Sequence, residues 1–334
     1  MENSKINLLV TGGSGFIGTN VVDYLISQQI NFINFDIMPP KKKVHEKFWR
    51  NVDIRDYKKL NTEMVSFKPT HILHLAAALG MDIKDIKFFS ANTDGVENII
   101  KCAINILSIE HIVFTSSLLV CENGYIPKSD SDYCPPNLYG KSKMIGEKLV
   151  RKINNTHFSW SIVRPTSVWG PWFAYSYKKF FKTIDKGYYM HTGETKIIKP
   201  KTFVGNTVHM MLTLLFESKE KVSGKTFYLA DYPDCSTREW ANIIQEIIGA
   251  KKIKTVPLWL IKLIAKIGDI LKFIGYKDPP LTSFRLQNMR TGVPYPVENT
   301  KSVCGELPYS LNEGVKLTAN WLYEINEINH KPVE

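Results

Sequence analysis

Cysteine is scarce. The 334 residues hold five, Cys102, Cys121, Cys134, Cys235 and Cys304, and no two are spaced as C-x-x-C. An odd, scattered set argues against a disulfide framework or a cysteine metal site, and it fits a reducing compartment. Long apolar runs are also missing. No uninterrupted stretch is long enough to cross a bilayer, and no secretory leader precedes the first apolar run. A cytoplasmic location without a transmembrane segment is the expectation. Acids are in deficit, 32 against 43 lysines and arginines, which gives a formal charge of +11. Yet the densest basic run is only Lys41-Lys42-Lys43. There is no basic helix interleaved with aromatics and no zinc-finger spacing, so nucleic acid is not an expected partner. Solvated lysines and an anionic small ligand account for the charge better. No metal site, internal repeat or low-complexity tract is read.

What is present begins at residue 6. Ile6-Asn7-Leu8-Leu9-Val10 leads into Thr11-Gly12-Gly13-Ser14-Gly15-Phe16-Ile17-Gly18. Apolar spacing at Val21, Val22, Leu25 and Ile26 then marks a helix. This is strand, tight turn, helix. Gly12 allows the turn, Gly15 admits a pyrophosphate to the backbone, and Gly18 lets helix pack on strand. The helix N-terminus supplies N–H donors for the phosphates. A second strand, Asn31 to Phe35, ends in Asp36. An acid about 20 residues beyond the glycines is placed to hold a ribose.

Strands and helices keep alternating. Phe48 to Ile54 reads as a short strand that ends in Asp53-Ile54. Thr70 to Leu75 runs into Ala76-Ala77-Ala78, and His111 to Thr115 runs into Ser116-Ser117. Between them, residues 90–107 carry helical apolar spacing. Trp160 to Arg164 is a further strand, stopped by Pro165. The pattern predicts a doubly wound parallel sheet of Rossmann type, with helices on both faces and ligands at the carboxyl ends of the strands. A boundary near 165 separates a dinucleotide-binding domain (1–165) from a smaller α/β substrate-binding region (166–334). The late strand near Thr226, within about 203–231, returns to the first sheet in this reading.

Tyr139 and Lys143 are four apart at the start of a helix, so they share a face. A phenol is a poor base at its ordinary pKa of about 10. A nearby ammonium and a cationic nicotinamide would lower that value. A serine such as Ser117, at a strand end, can hold the same reacting oxygen.

Together these pieces identify a resemblance. The glycine run 11–18, Asp36, Asp53-Ile54, His74-Leu75-Ala76-Ala77, Asn92, Thr115-Ser116-Ser117, Tyr139-x-x-x-Lys143 and Arg164-Pro165 stand in one order over residues 6–171. In that order the chain resembles the extended short-chain dehydrogenase/reductases, in their NAD-dependent nucleotide-sugar epimerase/dehydratase branch. The resemblance implies that Gly12, Gly15, Phe16 and Ile17 cradle the pyrophosphate. It implies Asp36 on the adenosine ribose and Asp53 and Ile54 at the adenine. Leu75, Ala76, Ala77, Asn92, Thr115 and Pro165 would line the cofactor, with Lys143 on the nicotinamide ribose. Ser117 and Tyr139 would handle the reacting hydroxyl. Asp36 argues for NAD over NADP, because it would repel a 2′-phosphate.

Departures narrow the reaction. Leu118 and Leu119 stand where the family's 4,6-dehydratases carry an Asp-Glu pair, so a dehydratase is not expected. Cys121-Glu122 replaces the Tyr-Gly of galactose-type 4-epimerases, and Ser167 replaces their substrate-binding Asn. The expected activity is hydride transfer at C4 of a nucleotide-linked sugar, as an epimerase. A 4-keto-sugar reductase and a 3β-hydroxysteroid dehydrogenase are the alternatives. Leu118, Ser167, Lys201 and Arg290 are the expected substrate contacts beside Ser117, with Lys199 and Arg285 as lesser ones. A homodimer built on a four-helix contact is implied by the resemblance alone. Cys134 reads as a plain buried thiol.

Two further features lie in the second half. The aromatic-rich stretch 172–190 reads as core packing or a dimer face. Residues 257–275 set eleven large apolar side chains, from Leu258 to Ile274, against Lys262, Lys266, Asp269 and Lys272. That is a basic amphipathic helix. Its apolar face is expected to dock within the substrate domain, with an anionic membrane as the alternative.

Overall fold

The computed structural model describes residues 6–173, 176–193, 198–276, 279, 281–290, 292 and 295–333, apart from the side chains of 176 and 288–290. The chain divides into two compact units. The first holds Met1–Val168, Thr202–Tyr232 and Pro296–Pro308; the second holds Trp169–Lys201, Pro233–Tyr295 and Tyr309–Glu334.

The first unit is built on a seven-stranded parallel sheet. Its strands are β1 (Leu8–Thr11), β2 (Phe32–Asp36), β3 (Trp49–Asn51), β4 (His71–His74), β5 (His111–Thr115), β6 (Ser159–Pro165) and the late strand Thr226–Leu229. From one edge the order is late strand, β6, β5, β4, β1, β2, β3. The chain winds outward from β1 in one direction and then from β4 in the other. The switch between β1 and β4 opens a crevice at the carboxyl ends, where Thr11 pairs with His74. Strand residues alternate between two cores, as the period of two requires. Leu8 and Val10 join one cluster with Val21, Leu25, Met211 and Leu215. Leu9 joins the other with Ile72, Ile112, Leu60 and Ile99.

Helices α1 (Phe16–Ser27), α2 (Tyr57–Phe67), α3 (Ser90–Ile104) and α4 (Leu138–Val150) connect the strands. The helix Val204–Phe216 covers the α1 face, and Val204, Met210, Met211, Leu214 and Leu215 are buried on it. The segment Pro296–Pro308 also belongs to this unit. There Thr300 Oγ1 donates to the Tyr228 carbonyl at 2.8 Å.

In the second unit the aromatic stretch forms a core around Trp240, which is buried. Trp169, Tyr177, Phe180 and Phe181 all meet its ring, with centroids 4.9–6.5 Å apart among the set. Ser236 and Glu239 form the capping box that opens the helix Thr237–Ile247. The helix Leu258–Phe273 departs from expectation. Only Ile261, Ala265 and Gly268 are buried on it, against Leu286 of the helix Ser283–Arg290 and against Leu281. Trp259, Leu263, Ile264, Ile267, Ile270 and Phe273 stay exposed, while Leu258, Leu260 and Leu271 are half-buried. Periodicity reports which residues share a face, not whether a partner element reaches it. Among the described residues no helix is long and apolar enough to cross a membrane.

Candidate active site

The glycine turn is held from inside the protein. Gly12 sits at φ +76°, and a Cβ there would lie 2.6 Å from the Ala76 nitrogen. A Cβ on Gly18 would collide with the Gly12 carbonyl, so α1 reaches the turn only through glycine. Asn34 was not foreseen. From its buried place on β2, its Oδ1 accepts from Gly13 N–H at 2.8 Å. Gly12 N–H donates to Phe35 O, Ser14 N–H to Asp36 Oδ2 and Gly15 N–H to Gly12 O. Every amide from Gly12 to Gly15 is therefore spent within the protein. The first turn of α1 has no side-chain cap and carries no acid, so its dipole favours an anion there. The signal for Asn34 is a polar residue inside an otherwise apolar central strand.

Asp36 Oδ1 also accepts from Met38 N–H at 2.9 Å. Burial raises its pKa, and those backbone hydrogen bonds oppose the rise. Lys42 of the basic run turns to Asp23 at 2.7 Å. Asp53 is chelated by Arg55, with Nη2 to Oδ2 at 2.6 Å, which holds its carboxyl below the ordinary value. Ile54 packs on Gly95, and Asn98 Nδ2 donates to its carbonyl. Asn92 bonds Ala78 through both Oδ1 (2.8 Å) and Nδ2 (3.0 Å), and Nδ2 also donates to Ser142 Oγ (2.8 Å). It works by fixing the Ala76–Ala78 loop to α4, since both amide hydrogens are already committed. Leu75 and Ala76 are tied to Thr11 by their own amides.

These features test whether a dinucleotide fits. The turn brings backbone close where any Cβ would block it, the helix end is uncapped, and an acceptor carboxylate stands at the end of β2. The residues fit the group.

The candidate reacting residues gather around α4. Asn137 caps this helix by accepting from Gly140 N–H at 2.9 Å, which sets Tyr139 in its first turn. Tyr139, Lys143 and Glu147 follow at steps of four, on one face, and all three are buried. Ser117, just beyond β5, accepts from Leu119 N–H at 3.1 Å, and its hydroxyl is near enough to the Tyr139 phenol to lower that group's pKa. Lys143 Nζ donates to the Thr115 carbonyl at 2.9 Å.

Burial pushes the Tyr139 phenol up to about 12, and the Ser117 hydroxyl only partly opposes it. Burial brings Lys143 down to about 8, while the Glu147 charge pulls it back up. In the protein by itself the Tyr139 phenol is not made acidic. Desolvation dominates both groups, and the lysine charge is directed at a carbonyl. His74 is held neutral, its pKa brought down to about 3 by burial and by Lys143. Its Nδ1 bonds Thr11 Oγ1 at 2.8 Å. A cavity of about 20 Å³, room for one water, lies among His74, Asn92, Thr115, Ser116, Lys143 and Glu147.

The lowered lysine has a measurable consequence. Between pH 8 and 10.5 the unfolded chain holds a proton here that the folded chain has lost, so this group's share of stability rises with pH. Lys143→Met should stabilise the fold at pH 7 by on the order of 2 kcal/mol. That gain should fade as the pH is raised through 8 to 10.5 in paired denaturation curves. A constant difference would show that Lys143 is not desolvated.

Glu147 is the second residue that the sequence reading missed, although its place two turns beyond Tyr139 was visible. Its Oε1 accepts from Arg164 Nε (2.9 Å) and Ser116 Oγ (2.6 Å), and Oε2 accepts from Arg164 Nη2 (2.7 Å) and Tyr133 (3.0 Å). Burial raises its pKa, but the hydrogen bonds and charge of Arg164 bring it below the ordinary value. Gly140 is the third. A Cβ there would strike the Leu119 carbonyl, so the loop after Ser117 and the start of α4 touch only through glycine. Gly140→Ala should part Ser117 from Tyr139 and lower kcat at least tenfold, with a destabilisation of about 1–3 kcal/mol. Parallel assays of turnover and thermal unfolding check this.

Of the expected substrate residues, Leu118 and Ser167 belong to the first unit, and Lys199, Lys201, Arg285 and Arg290 to the second. Leu118 and Ser167 are half-buried beyond β5 and β6. Lys201 is turned inward in the second unit, where Nζ donates to the Cys235 carbonyl at 2.8 Å and lies over the Trp240 ring. Arg285 donates to Pro279 O at 2.5 Å, burial lowers the pKa of Lys199, and the Arg290 side chain lies outside the described residues. Desolvation raises the pKa of the Cys134 thiol, and its backbone pairs with Cys121 in an isolated bridge.

Comparison with known proteins places this geometry. The model of the NAD dependent epimerase/dehydratase family matches residues 8–227. An N-acetyl-alpha-D-glucosaminyl-diphospho-ditrans,octacis-undecaprenol 4-epimerase of Escherichia coli O157:H7 is 27% identical over 327 residues, covering 94% of this chain and 95% of that protein. A 3 beta-hydroxysteroid dehydrogenase/Delta 5→4-isomerase of vaccinia virus is 25% identical over 342 residues, covering 94% and 98%. Among solved structures, the UDP-glucose 4-epimerase of Thermus thermophilus in complex with NAD superposes with a TM-score of 0.69 at 18% identity. That match covers 95% of this chain and 99% of the other.

Proposed function

The chain belongs to the NAD-dependent epimerase/dehydratase family, and from that premise we propose that it inverts the C4 centre of a nucleotide-linked sugar. NAD is the family's cofactor, and when bound it accepts and returns a hydride. The observation that carries the reading is the group on and beside α4: Tyr139 and Lys143, buried one turn apart on one face, with the half-buried Ser117 hydroxyl acting on the phenol. In this reading Ser117 holds the C4 oxygen and Tyr139 takes its proton. Lys143 holds the ribose of the cofactor and keeps positive charge beside the phenol. The same proton returns from Tyr139 when the 4-keto sugar is reduced on its opposite face. Atoms balance without an outside reductant. Leu118 and Leu119 bring no acid or base, which argues against elimination at C5 and C6. The first turn of α1 and Asp36 would hold the dinucleotide.

The curated relatives support a 4-epimerase reading, one of them named for a sugar carried on a diphospho-polyprenol. A second reading, a hydroxysteroid dehydrogenase, is favoured by the viral relative over nearly the whole chain. Incubation with NAD and UDP-sugars, read by proton NMR at C4, separates them. Inverted sugar with no net NADH is expected. Stoichiometric use of NADH on a 4-keto sugar would replace the epimerase with a reductase. Turnover of a 3β-hydroxysteroid alone would replace it with the second reading.

A further inference from the structure

The helix Leu258–Phe273 presents more apolar surface than the second unit covers. At 3.6 residues per turn, Ile261, Ala265 and Gly268 fall on one side and are buried. On the opposite side Trp259, Leu263, Ile267, Ile270 and Ile274 fill an arc of roughly 80°. Trp259 is 69% exposed, Ile270 62% and Phe273 92%. Tyr276 and Phe284, which follow the helix in the chain, are exposed as well. Lys262 and Lys266 border the arc, and Lys251, Lys252 and Lys254 stand exposed just before the helix. Asp269, the acid on this helix, accepts from Ser283 N–H at 3.0 Å.

We infer that this face docks on an anionic phospholipid surface. A helix that is apolar both where it packs and where it faces outward needs a second apolar environment. Contiguous exposed apolar patches of this kind mark interaction sites. The lysine border decides which kind. A second copy would bring the same lysines against themselves, in a chain whose formal charge is +11. An anionic headgroup layer instead neutralises the lysines while its acyl boundary takes the arc. Trp259 and Phe273 suit that depth, where aromatic rings sit between water and hydrocarbon. The helix spans about 24 Å at 1.5 Å per residue, less than the bilayer core of about 30 Å. The geometry is that of a helix lying in the plane of the surface. Docking is independent of the reaction proposed above, since no residue of α4 or of the glycine turn takes part.

The test uses the full chain loaded with NAD. It is mixed with vesicles of phosphatidylcholine, with or without phosphatidylglycerol, and sedimented. Cosedimentation with the anionic vesicles is expected, and little with phosphatidylcholine alone. Leu263→Glu with Ile270→Glu should abolish it while turnover of a soluble substrate stays unchanged. Lys262→Ala and Lys266→Ala should each weaken partition about fivefold at low salt. Added salt should remove that difference. Absence of binding to anionic vesicles would overturn the inference, as would binding that the double glutamate variant leaves intact. A concentration-dependent dimer dissolved by the same variant, without vesicle binding, would assign the face to a second copy instead. Sedimentation is read without catalysis, so an error in the proposed reaction leaves this result standing.

Discussion

Tyr139→Phe should lower kcat by about 10²- to 10⁴-fold, the range lost when a positioned acid–base group is removed. NAD affinity should stay within about threefold, because the phenol oxygen is one contact among many. The substitution removes a single oxygen from a buried ring that packs near Phe89, with centroids 6.1 Å apart. The fold has no reason to change. The oxygen it removes is the one whose pKa the Ser117 hydroxyl lowers. Ser117→Ala should cost less, because it leaves the proton carrier in place. Measuring kcat and NAD binding on the same preparations separates lost chemistry from lost structure. Unaltered turnover in Tyr139→Phe would remove the phenol from the reaction.

The second large effect falls on Glu147. Arg164 is fully buried and bound through two nitrogens to this carboxylate. Its Nη1 also donates to Tyr228 at 2.6 Å and its Nη2 to Asp130 O. Glu147→Ala strands a guanidinium in a dry site. Removing one partner of such a pair costs about 3–5 kcal/mol, which should lower Tm by about 10 °C. The double replacement Glu147→Leu with Arg164→Met should recover most of that loss, because an apolar pair asks for no solvation. Glu147 is a positioning residue, and a purely structural role would leave Lys143 untouched. Glu147→Gln should instead drop the Lys143 pKa below about 8, since the Glu147 charge is what opposes its desolvation. Titration of Lys143 followed by NMR reads this directly.

Much of the site was legible because its parts are local. The glycine turn, Asp36 and the Tyr139–Lys143 pair are each fixed by spacing along one strand, turn or helix. Strand alternation around β1, β4 and β5 was legible for the same reason. What was not legible depends on elements far apart in sequence. Asn34 is recognised as the clamp on Gly13 only once β2 lies beside β1. The Glu147–Arg164 pair joins α4 to β6. Lys201 carried the charge expected of a substrate contact, yet Trp240 and Cys235 claim its side chain. The return of Pro296–Pro308 to the first unit has no local signal at all. For the helix Leu258–Phe273, composition gave the amphipathic pattern, while only the packing of the second unit shows how much apolar face remains uncovered.

Central to the proposal are a hydride that leaves C4 and returns to it and a proton that leaves the C4 oxygen and returns there. A nucleotide sugar carrying deuterium at C4 tests that most directly, with the product followed by NMR. Inverted sugar that keeps its deuterium at C4 is the expected result. Label lost to water, or recovered sugar with no inversion at C4, would contradict it.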